Sequence, residues 1–223
     1  VSSIPGFLQG WSSVQDASAQ LAAQFLQPRN QEFIFDACAA PGGKACHLLE
    51  RAPEAHVLAA DISSQRLVGV EENSARLNLP IETRVLDASQ AAKNLHPQQF
   101  DAVLADVPCS ATGVIRRNPD IKITRKAADI LNFSQQQQDI LKGLWPLVKP
   151  GGRLLYVTCS LLDAENDEII AMAQSHLSQC EVMPLSGSPG FKTRLGWQTL
   201  PSLAGGDGLY FSLLHKATTD PRV

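Results

Sequence analysis

Residues 33–44 read FIFDACAAPGGK, and this stretch decides the fold that the sequence predicts. Its three apolar residues form a short buried strand that ends at Asp36. Small residues and two glycines then make a tight turn, and a helix follows from about Lys44 to Arg51. A strand, a turn and a helix in this order form the first half of a parallel crossover unit. The turn matches neither the GxGxxG dinucleotide fingerprint nor a P-loop.

The alternation of strand and helix continues outward from this stretch. The other predicted strands are 56–60, 81–86, 100–105 and 153–158, with weaker ones near 180–184 and 208–214. The other predicted helices are 14–26, with Ser13 as a possible N-cap, 64–78, 127–148 and 163–177. Strands separated by helices imply an α/β fold, a doubly wound and mainly parallel sheet with helices on both faces.

The sequence predicts the structure of two connections less clearly. The run KPGG at 149–152 is expected to terminate the preceding helix. Residues 185–207 are rich in Gly, Ser and Pro, which fits either a mobile lid or a plain surface connection.

The composition limits the class of protein. The chain has 223 residues, of which 44% are hydrophobic, enough for one sizeable core. We therefore expect a single domain over 1–223, with 1–30 as a lead-in and helix and 31–223 as the core. The formal net charge of -3 excludes a highly basic protein that coats nucleic acid and a strongly charged disordered chain. It leaves room for a local basic patch.

The cysteine count and the termini give further expectations. Five cysteines without a CxxC pair argue against a disulfide framework and against a zinc cluster, so no metal and a reducing cytoplasm are expected. No apolar run reaches the roughly 20 residues that a membrane helix needs, and the first residues do not form a signal peptide. The chain does not start with Met, so we expect an excised domain of a longer protein.

Acids stand where four of the predicted strands end. These acids are Asp36, Asp61, Asp87 and Asp106, and Cys159 ends a fifth strand. Ligands of open parallel sheets bind outside the carboxyl ends of the strands. One such acid can be an ordinary helix cap, but four in succession favour a shared site.

The acids and the glycine turn together indicate a nucleoside cofactor. Small residues let the backbone approach a ligand, and the next helix offers its N-terminal amides. Asp61 can accept hydrogen bonds from both ribose hydroxyls, and Asp87 can contact an adenine amine. Because no pyrophosphate motif is present, the pattern points to S-adenosylmethionine.

Two cysteines lie at the same predicted edge of the sheet. Cys109 belongs to DVPCS at 106–110, and Cys159 belongs to TCS at 158–160. A thiolate is a strong nucleophile once cations or helix N-termini lower its pKa. Spacing alone does not choose between the two. The remaining cysteines, Cys38, Cys46 and Cys180, fit small core residues.

A basic segment follows the first of these cysteines. Residues 116–126 contain five basic side chains and one acid, Asp120. The basic residues are Arg116, Arg117, Lys122, Arg125 and Lys126. Such a segment can neutralise phosphates of an RNA strand, or it can be a solvated surface. Phe133, Trp145 and Trp197 are candidates for base stacking by residue type only.

The motifs DACAAPGGK, DVPCS and TCS, in this order, resemble those of the RNA 5-methylcytosine methyltransferases of the NOL1/NOP2/sun group. ATGVIRRNPDIK at 111–122 and ENDEII at 165–170 look most like the bacterial Fmu/Sun (RsmB-like) branch, which methylates small-subunit ribosomal RNA. The chain differs from the group in Ala111, where PCSG is frequent, and in Ala45, where Thr is frequent. The resemblance implies a Rossmann-like class I S-adenosylmethionine-dependent methyltransferase and, in the full-length protein, an N-terminal RNA-binding domain.

The resemblance also implies roles for individual residues. Cys159 is expected to attack C6 of the target cytosine, Cys109 to assist release, and Asp106 to protonate or hydrogen-bond N3 as a general acid. Lys44 is expected to orient Asp106, although an exposed lysine of a first helical turn is an alternative. The expected cofactor contacts are Cys38, Ala39, Ala40, Pro41, Gly42, Gly43, Lys44, Asp61, Arg66, Asp87 and Asp106. Arg66 also fits an exposed helix arginine.

Three functions therefore stand side by side. The first is methylation of C5 of a cytosine in 16S ribosomal RNA. The second keeps the reaction and takes transfer RNA as the substrate. The third is a noncatalytic RNA-binding assembly module on the same fold.

Overall fold

A single sheet organises the computed structural model, which describes residue 1, residues 3–202 and residues 205–218. Within this part of the chain the sheet has nine strands. They are β1 (Phe33–Asp36), β2 (His56–Asp61), β3 (Ile81–Val85), β4 (Phe100–Asp106), β5 (Val148–Thr158), β6 (Cys180–Met183), β7 (Phe191–Lys192), β8 (Trp197–Gln198) and β9 (Tyr210–Lys216). Their order is β3-β2-β1-β4-β5-β9-β8-β7, and β6 pairs with β9 beside β8.

Helices cover both faces of this sheet, as predicted. They are α1 (Leu21–Leu26), α2 (Gly43–Arg51), α3 (Ser64–Leu77), α4 (Ala91–Asn94), α5 (Ile121–Thr124), α6 (Ala127–Leu144) and α7 (Asp167–His176). Successive residues of a strand face opposite sides. Ile34 accordingly packs in a cluster with Leu48 of α2, whereas Phe35 packs in a second cluster with Leu141 of α6. The doubly wound architecture is therefore confirmed.

The sheet reverses its direction of growth beside β1. Strands β1 to β5 are parallel, and β1 pairs with β2 on one side and with β4 on the other. The carboxyl ends of β1 and β4 therefore flank the crevice in which ligands of such sheets bind. Strand β9 runs antiparallel to β5 and continues the sheet.

Two predicted helices are shorter than the sequence pattern suggests. The prediction of a helix over 14–26 is wrong for residues 14–20, because α1 begins only at Leu21. The Asp16 carboxylate accepts hydrogen bonds from the amides of Ser18 and Ala19 and so holds these residues in turns. Ser13 therefore does not cap a helix. The predicted helix 127–148 ends at Leu144, because Pro146 lies in a short 3-10 turn that leads into β5.

The run KPGG lies inside β5 and does not terminate a helix. Its neighbour β4 pairs Phe100 with Val148 and then Ala102 with Arg153, so the run forms a bulge in the strand. Gly151 has φ +78°, a conformation that glycine adopts easily. Residues 185–207 also contribute structure, since β7 and β8 extend the sheet beyond β9. Residues 203 and 204 of this stretch lie outside the described residues.

Within the described residues, no helix combines the length and apolarity that crossing a bilayer requires.

Candidate active site

Two cysteines from neighbouring loops contact each other at the carboxyl end of the sheet. The Sγ atoms of Cys109, after β4, and Cys159, after β5, are 3.3 Å apart. Cys109 is buried and Cys159 half-buried. The hydrogen bond from Cys109, and then the Lys44 ammonium, hold the pKa of the Cys159 thiol below its usual value, against the effects of burial and of Asp106. The same hydrogen bond, together with burial, raises the pKa of Cys109.

An ion pair lies beside the two thiols. Lys44 Nζ, in the first turn of α2, is 2.6 Å from Asp106 Oδ2 at the end of β4. Burial is the largest effect on the Lys44 ammonium and lowers its pKa, but the charge and hydrogen bond of Asp106, together with the charges of Asp36 and Cys159, outweigh it, so this pKa is raised. The structure thus brings together the four residues that the sequence proposed as catalytic.

A second carboxyl group lies beside this ion pair. Asp36, at the end of β1, is 1% exposed, and neither of its carboxylate oxygens has a hydrogen-bond partner among the described residues. Burial, and then repulsion by Asp106, raise the pKa of Asp36 to about 7. The strand-end pattern identified this acid, but the cofactor and catalytic assignments did not include it.

The backbone of the turn at 36–44 is accessible to a ligand at Gly43. Gly42 has φ +96°, and a Cβ there would lie 2.9 Å from the Cα of Val70, so glycine is required. A Cβ on Gly43 would meet no atom of the described residues within 4 Å. Side chains from α3 hold the turn: Arg66 Nη2 donates to the carbonyl of Ala40 and Asn73 Nδ2 to that of Pro41.

A pocket adjoins this turn, and its empty space of about 350 Å³ includes space that is open to solvent. Four predicted cofactor contacts line it: Cys38, Asp61, Arg66 and Asp87. The Asp61 carboxylate is buried, accepts from the Ser63 amide at 3.0 Å and lies 3.4 Å from Arg66 Nη1. Asp87 is exposed and accepts from the amide and hydroxyl of Ser89.

Apolar side chains complete the pocket lining. Ile62, Pro108 and Ile140 contribute to it, and Ile62 is 67% exposed although it is a large apolar residue. Ile62 directly follows the acid that ends β2. Its position after that acid was the signal in the sequence that could have identified it.

The order of these features along the chain agrees with a known family. The family model described as "16S rRNA methyltransferase RsmB/F" matches residues 23–215. The chain belongs to this family.

Curated relatives extend the same result. The protein named ribosomal RNA small subunit methyltransferase B from Yersinia enterocolitica is 47% identical over 216 residues, and that from Cronobacter sakazakii is 48% identical. Each alignment covers 97% of this chain and 49% of the relative. The chain therefore spans about half the length of the curated relatives that it matches.

Solved structures confirm the fold of this RsmB/F family member. NSun6 from Pyrococcus horikoshii, solved with SFG, superimposes with a TM-score of 0.86 and 26% identity over 98% of this chain and 56% of NSun6. A methyltransferase homologue from the same organism gives a TM-score of 0.83 and 27% identity over 97% of this chain and 72% of its own. The predicted Rossmann-like class I methyltransferase fold is thus confirmed.

The basic segment of this family member does not form one uniform cationic surface. Arg117 binds the carboxylate of Asp207 through Nε and Nη2, and Arg116 Nη2 lies 3.8 Å from the same carboxylate. Because Asp207 is 1% exposed, these arginines compensate a buried charge. Arg125 Nε donates to the Ser110 carbonyl at 2.8 Å, beside the cysteines.

All five basic residues of the segment are exposed, and they differ in their partners. Arg116 and Arg117 pair with Asp207, and Arg125 donates to the Ser110 carbonyl. The Arg125 guanidinium lies over the ring of Phe133, 5.3 Å from its centroid. Trp145 and Trp197 are buried, and their indole N–H groups donate to the carbonyls of Ser178 and Pro189, so both tryptophans are core residues.

The residues that connect the two cysteine loops were not among the predicted site residues. Ser110 and Ser160 each follow one of the cysteines, and both donate to the buried carboxylate of Glu165. The motif ENDEII contained this acid, but a glutamate near a helix start has many ordinary explanations. Among the described residues, no group of three or more His, Cys, Asp or Glu side chains is arranged to hold a metal ion.

Proposed function

We propose that this chain transfers the methyl group of S-adenosylmethionine to C5 of a cytosine in small-subunit (16S) ribosomal RNA. The observation that carries the proposal is the thiol pair of Cys109 and Cys159, 3.3 Å apart, beside the Lys44–Asp106 ion pair. The family match and the names of the curated relatives support the RNA class. The reaction needs a polarised thiol and a carboxyl group at the same place, and both are present.

The pocket next to this cluster fits the cofactor. A buried acid, Asp61, suits the hydroxyls of a ribose, and Asp87, which also lines the pocket, suits an adenine amine. The exposed Ile62 and Pro108 offer apolar surface for a flat ring. NSun6, which has the same fold, was solved with SFG, an analogue of S-adenosylmethionine. When bound, S-adenosylmethionine supplies an electrophilic methyl group.

The residues of the chain supply the remaining chemistry. The Cys159 thiolate adds to C6 of cytosine while Asp106, as a carboxylic acid, donates its proton to N3, and the resulting enamine makes C5 nucleophilic. After C5 has gained the methyl group, the C5 proton passes to solvent, its electron pair forms the C5–C6 double bond, the C6–S bond breaks to return the thiolate, and the N3 proton returns to Asp106. The contact of Cys109 with Cys159 supports a role for Cys109 in this release. Lys44 holds Asp106 and favours the thiolate electrostatically.

The RNA reaches this site beside the basic segment. Lys122, Lys126 and Arg125 supply exposed positive charge that can neutralise phosphates next to the cysteine loops, whereas Arg116 and Arg117, although exposed, pair with Asp207. A cytosine must leave its stack to contact a thiol, so an unpaired stretch of RNA is the expected target.

Methyl transfer to purified RNA tests this function directly. Unmodified 16S ribosomal RNA and transfer RNA are incubated separately with the chain and cofactor labelled in the methyl group, and nucleosides are analysed by mass spectrometry. Labelled 5-methylcytosine in the ribosomal RNA, absent with Cys159→Ala, is the expected result. Label in transfer RNA alone would make transfer RNA the substrate instead of ribosomal RNA. No label in either RNA would favour a noncatalytic binding module.

A trapping experiment tests the assignment of the two cysteines. Cys109→Ala is expected to accumulate a protein–RNA adduct that survives denaturation, because release is impaired. Cys159→Ala is expected to form none. Accumulation in Cys159→Ala instead would reverse the two roles.

A further inference from the structure

One buried carboxylate joins the two loops that carry the cysteines. Glu165, at the end of a 3-10 turn over Asp163–Glu165, is 0% exposed. Its Oε1 accepts from the Ser110 amide at 2.8 Å and from Gln137 Nε2 at 3.2 Å. Its Oε2 accepts from the hydroxyls of Ser110 and Ser160, both at 2.5 Å. Four donors compensate the cost of burying this charge.

Each serine in this network is covalently next to a reactive thiol. Ser110 follows Cys109, and Ser160 follows Cys159. Consecutive Cα atoms are about 3.8 Å apart, so a displacement of either serine moves the neighbouring cysteine with it. The two serine hydroxyls bind the same Oε2 and lie 3.2 Å from each other, so Glu165 holds the two cysteine loops together at this point.

Other contacts fix Glu165 itself. The hydroxyl of Tyr156, on β5, donates to the Glu165 carbonyl at 2.7 Å. The next residue, Asn166, accepts from Thr158 Oγ1 at 2.6 Å and donates to the Ser160 carbonyl at 3.0 Å. The carboxylate is thus anchored to β5 on one side and reaches across to the loop after β4 on the other.

We propose that Glu165 is a positioning residue that sets the geometry of the Cys109–Cys159 pair through Ser110 and Ser160. No hydrogen bond joins Glu165 to either thiol, so its effect on their geometry passes through the two serines, while its charge also contributes to the raised pKa of Cys109. The main-chain bond from the Gly113 amide to the Cys159 carbonyl also links the loops, but it acts on the backbone and carries no side-chain charge. The expected effect of Glu165 on the catalytic rate rests on the proposed methyl transfer. Its expected effect on the two thiols does not depend on that function.

The decisive measurement is the pH dependence of Cys159 alkylation by iodoacetamide, followed by mass spectrometry of the Cys159 peptide. Glu165→Ala is expected to shift this profile to higher pH, because the hydrogen bond from Cys109 loosens. The rate of alkylation at pH 7 should fall roughly tenfold, as expected for a shift of about one pKa unit. Glu165→Gln keeps the shape and one acceptor oxygen, so an intermediate profile is expected.

Asp167 provides a matched control two residues further on. It is also a buried acid with several donors, Thr193 Oγ1, the Leu195 amide and the Tyr210 hydroxyl, none of which belongs to a cysteine loop. Asp167→Asn is expected to lower the melting temperature while leaving the alkylation profile of Cys159 as in the wild type. A general loss of packing would move both variants equally.

Methyl transfer gives a second readout. Glu165→Ala is expected to lower kcat by about two orders of magnitude, the usual effect of misplacing a reacting group, with little change in KM for the cofactor. Ser110→Ala and Ser160→Ala leave the carboxylate in place and should shift the alkylation profile in the same direction. These two variants test the proposal if Glu165→Ala does not fold. A wild-type profile in Glu165→Gln and in both serine variants would overturn the proposal. Absence of methyl transfer by the wild type would contradict the proposed function and leave the alkylation result decisive for Glu165.

Discussion

Cys109 and Cys159 are fifty residues apart in the chain, yet their Sγ atoms are separated by 3.3 Å. The contact arises because β4 and β5 are adjacent parallel strands, and each cysteine lies in the loop that follows one of them. The two thiols are chemically unequal. The pKa of the more buried Cys109 is raised and that of Cys159 is lowered, which makes Cys109 the favoured donor of the hydrogen bond between them.

Removal of the donor should make Cys159 less reactive. In Cys109→Ala, the Cys159 thiolate loses a hydrogen bond of about 1 kcal/mol, so its pKa should rise by nearly one unit. The alkylation rate of Cys159 at pH 7 should fall several-fold. Cys180→Ala is the matched control, since this half-buried thiol lies on β6. An alkylation profile of Cys109→Ala that overlays the wild type would contradict the assigned donor.

Lys44 should link the rate of methyl transfer to pH. Lys44→Met keeps the apolar stem and removes the charge that pairs with Asp106 and lowers the pKa of Cys159. We expect a loss of 10- to 100-fold at pH 7 and partial recovery toward pH 9, where more thiolate forms in the variant. The pH–rate profile measures this effect. Lys142→Met, at an exposed position of α6, should retain the wild-type profile.

Asp36 should make stability depend on pH. Its pKa is raised from the ordinary value of 3.8 to about 7, so the protonated form is favoured in the folded chain. This contribution to stability is present in full below about pH 4 and is lost as the pH rises through about 7. Asp36→Asn removes the dependence. The free energy of unfolding of this variant minus that of the wild type should be higher at pH 8 than at pH 5 by roughly 3 kcal/mol, at 1.36 kcal/mol per pKa unit.

Urea unfolding at the two pH values measures this difference. Asp139→Asn, at an exposed position of α6, should show no comparable change relative to wild type. An equal stability difference between Asp36→Asn and wild type at both pH values would mean that Asp36 is ionised in the folded chain throughout this range.

The basic segment should divide into residues that bind RNA and residues that maintain the fold. Lys122→Ala with Lys126→Ala should weaken RNA binding and reduce the slope of log affinity against log salt by roughly one to two, since each contacted phosphate contributes about 0.9. The melting temperature should stay unchanged because both side chains are exposed. Arg117→Ala should instead lower the melting temperature, since Asp207 would remain buried with less compensation. Unchanged RNA affinity at low salt in the lysine double variant would remove the segment from the RNA interface.

The sheet could be predicted from the sequence because its signals are local. Apolar runs that end at acids gave the ends of β1, β2 and β4, and parallel connections then placed Asp36, Asp61 and Asp106 at one edge. Helix ends were less predictable. Asp16 and Pro146 each interrupt a segment whose apolar spacing is helical. Asp16 does so by accepting a main-chain hydrogen bond and Pro146 by its place in a 3-10 turn, and apolar periodicity reports neither effect.

Contacts between distant segments could not be predicted in the same way. The charge of residues 116–126 suggested five available cations, but the partner of Arg117, Asp207, lies ninety residues away in the chain. The same holds for Glu165, whose donors come from loops that the fold brings together. Motifs identified the reactive side chains, whereas the buried polar groups that hold them became visible only in three dimensions.

Asp61 should account for much of the affinity for the cofactor. Its buried carboxylate lines the pocket, and hydrogen bonds from two ribose hydroxyls to a charged acceptor contribute about 1.5–3 kcal/mol each. Asp61→Ala should therefore weaken binding of S-adenosylmethionine at least tenfold in isothermal titration calorimetry, and Asp61→Asn should weaken it less, since the amide keeps one acceptor. Glu82→Ala, an acid on the neighbouring strand β3 whose side chain is 66% exposed, should bind as the wild type does. Wild-type affinity in Asp61→Ala would show that the cofactor does not use this pocket, because loss of a buried acceptor within it cannot leave a bound ribose unaffected.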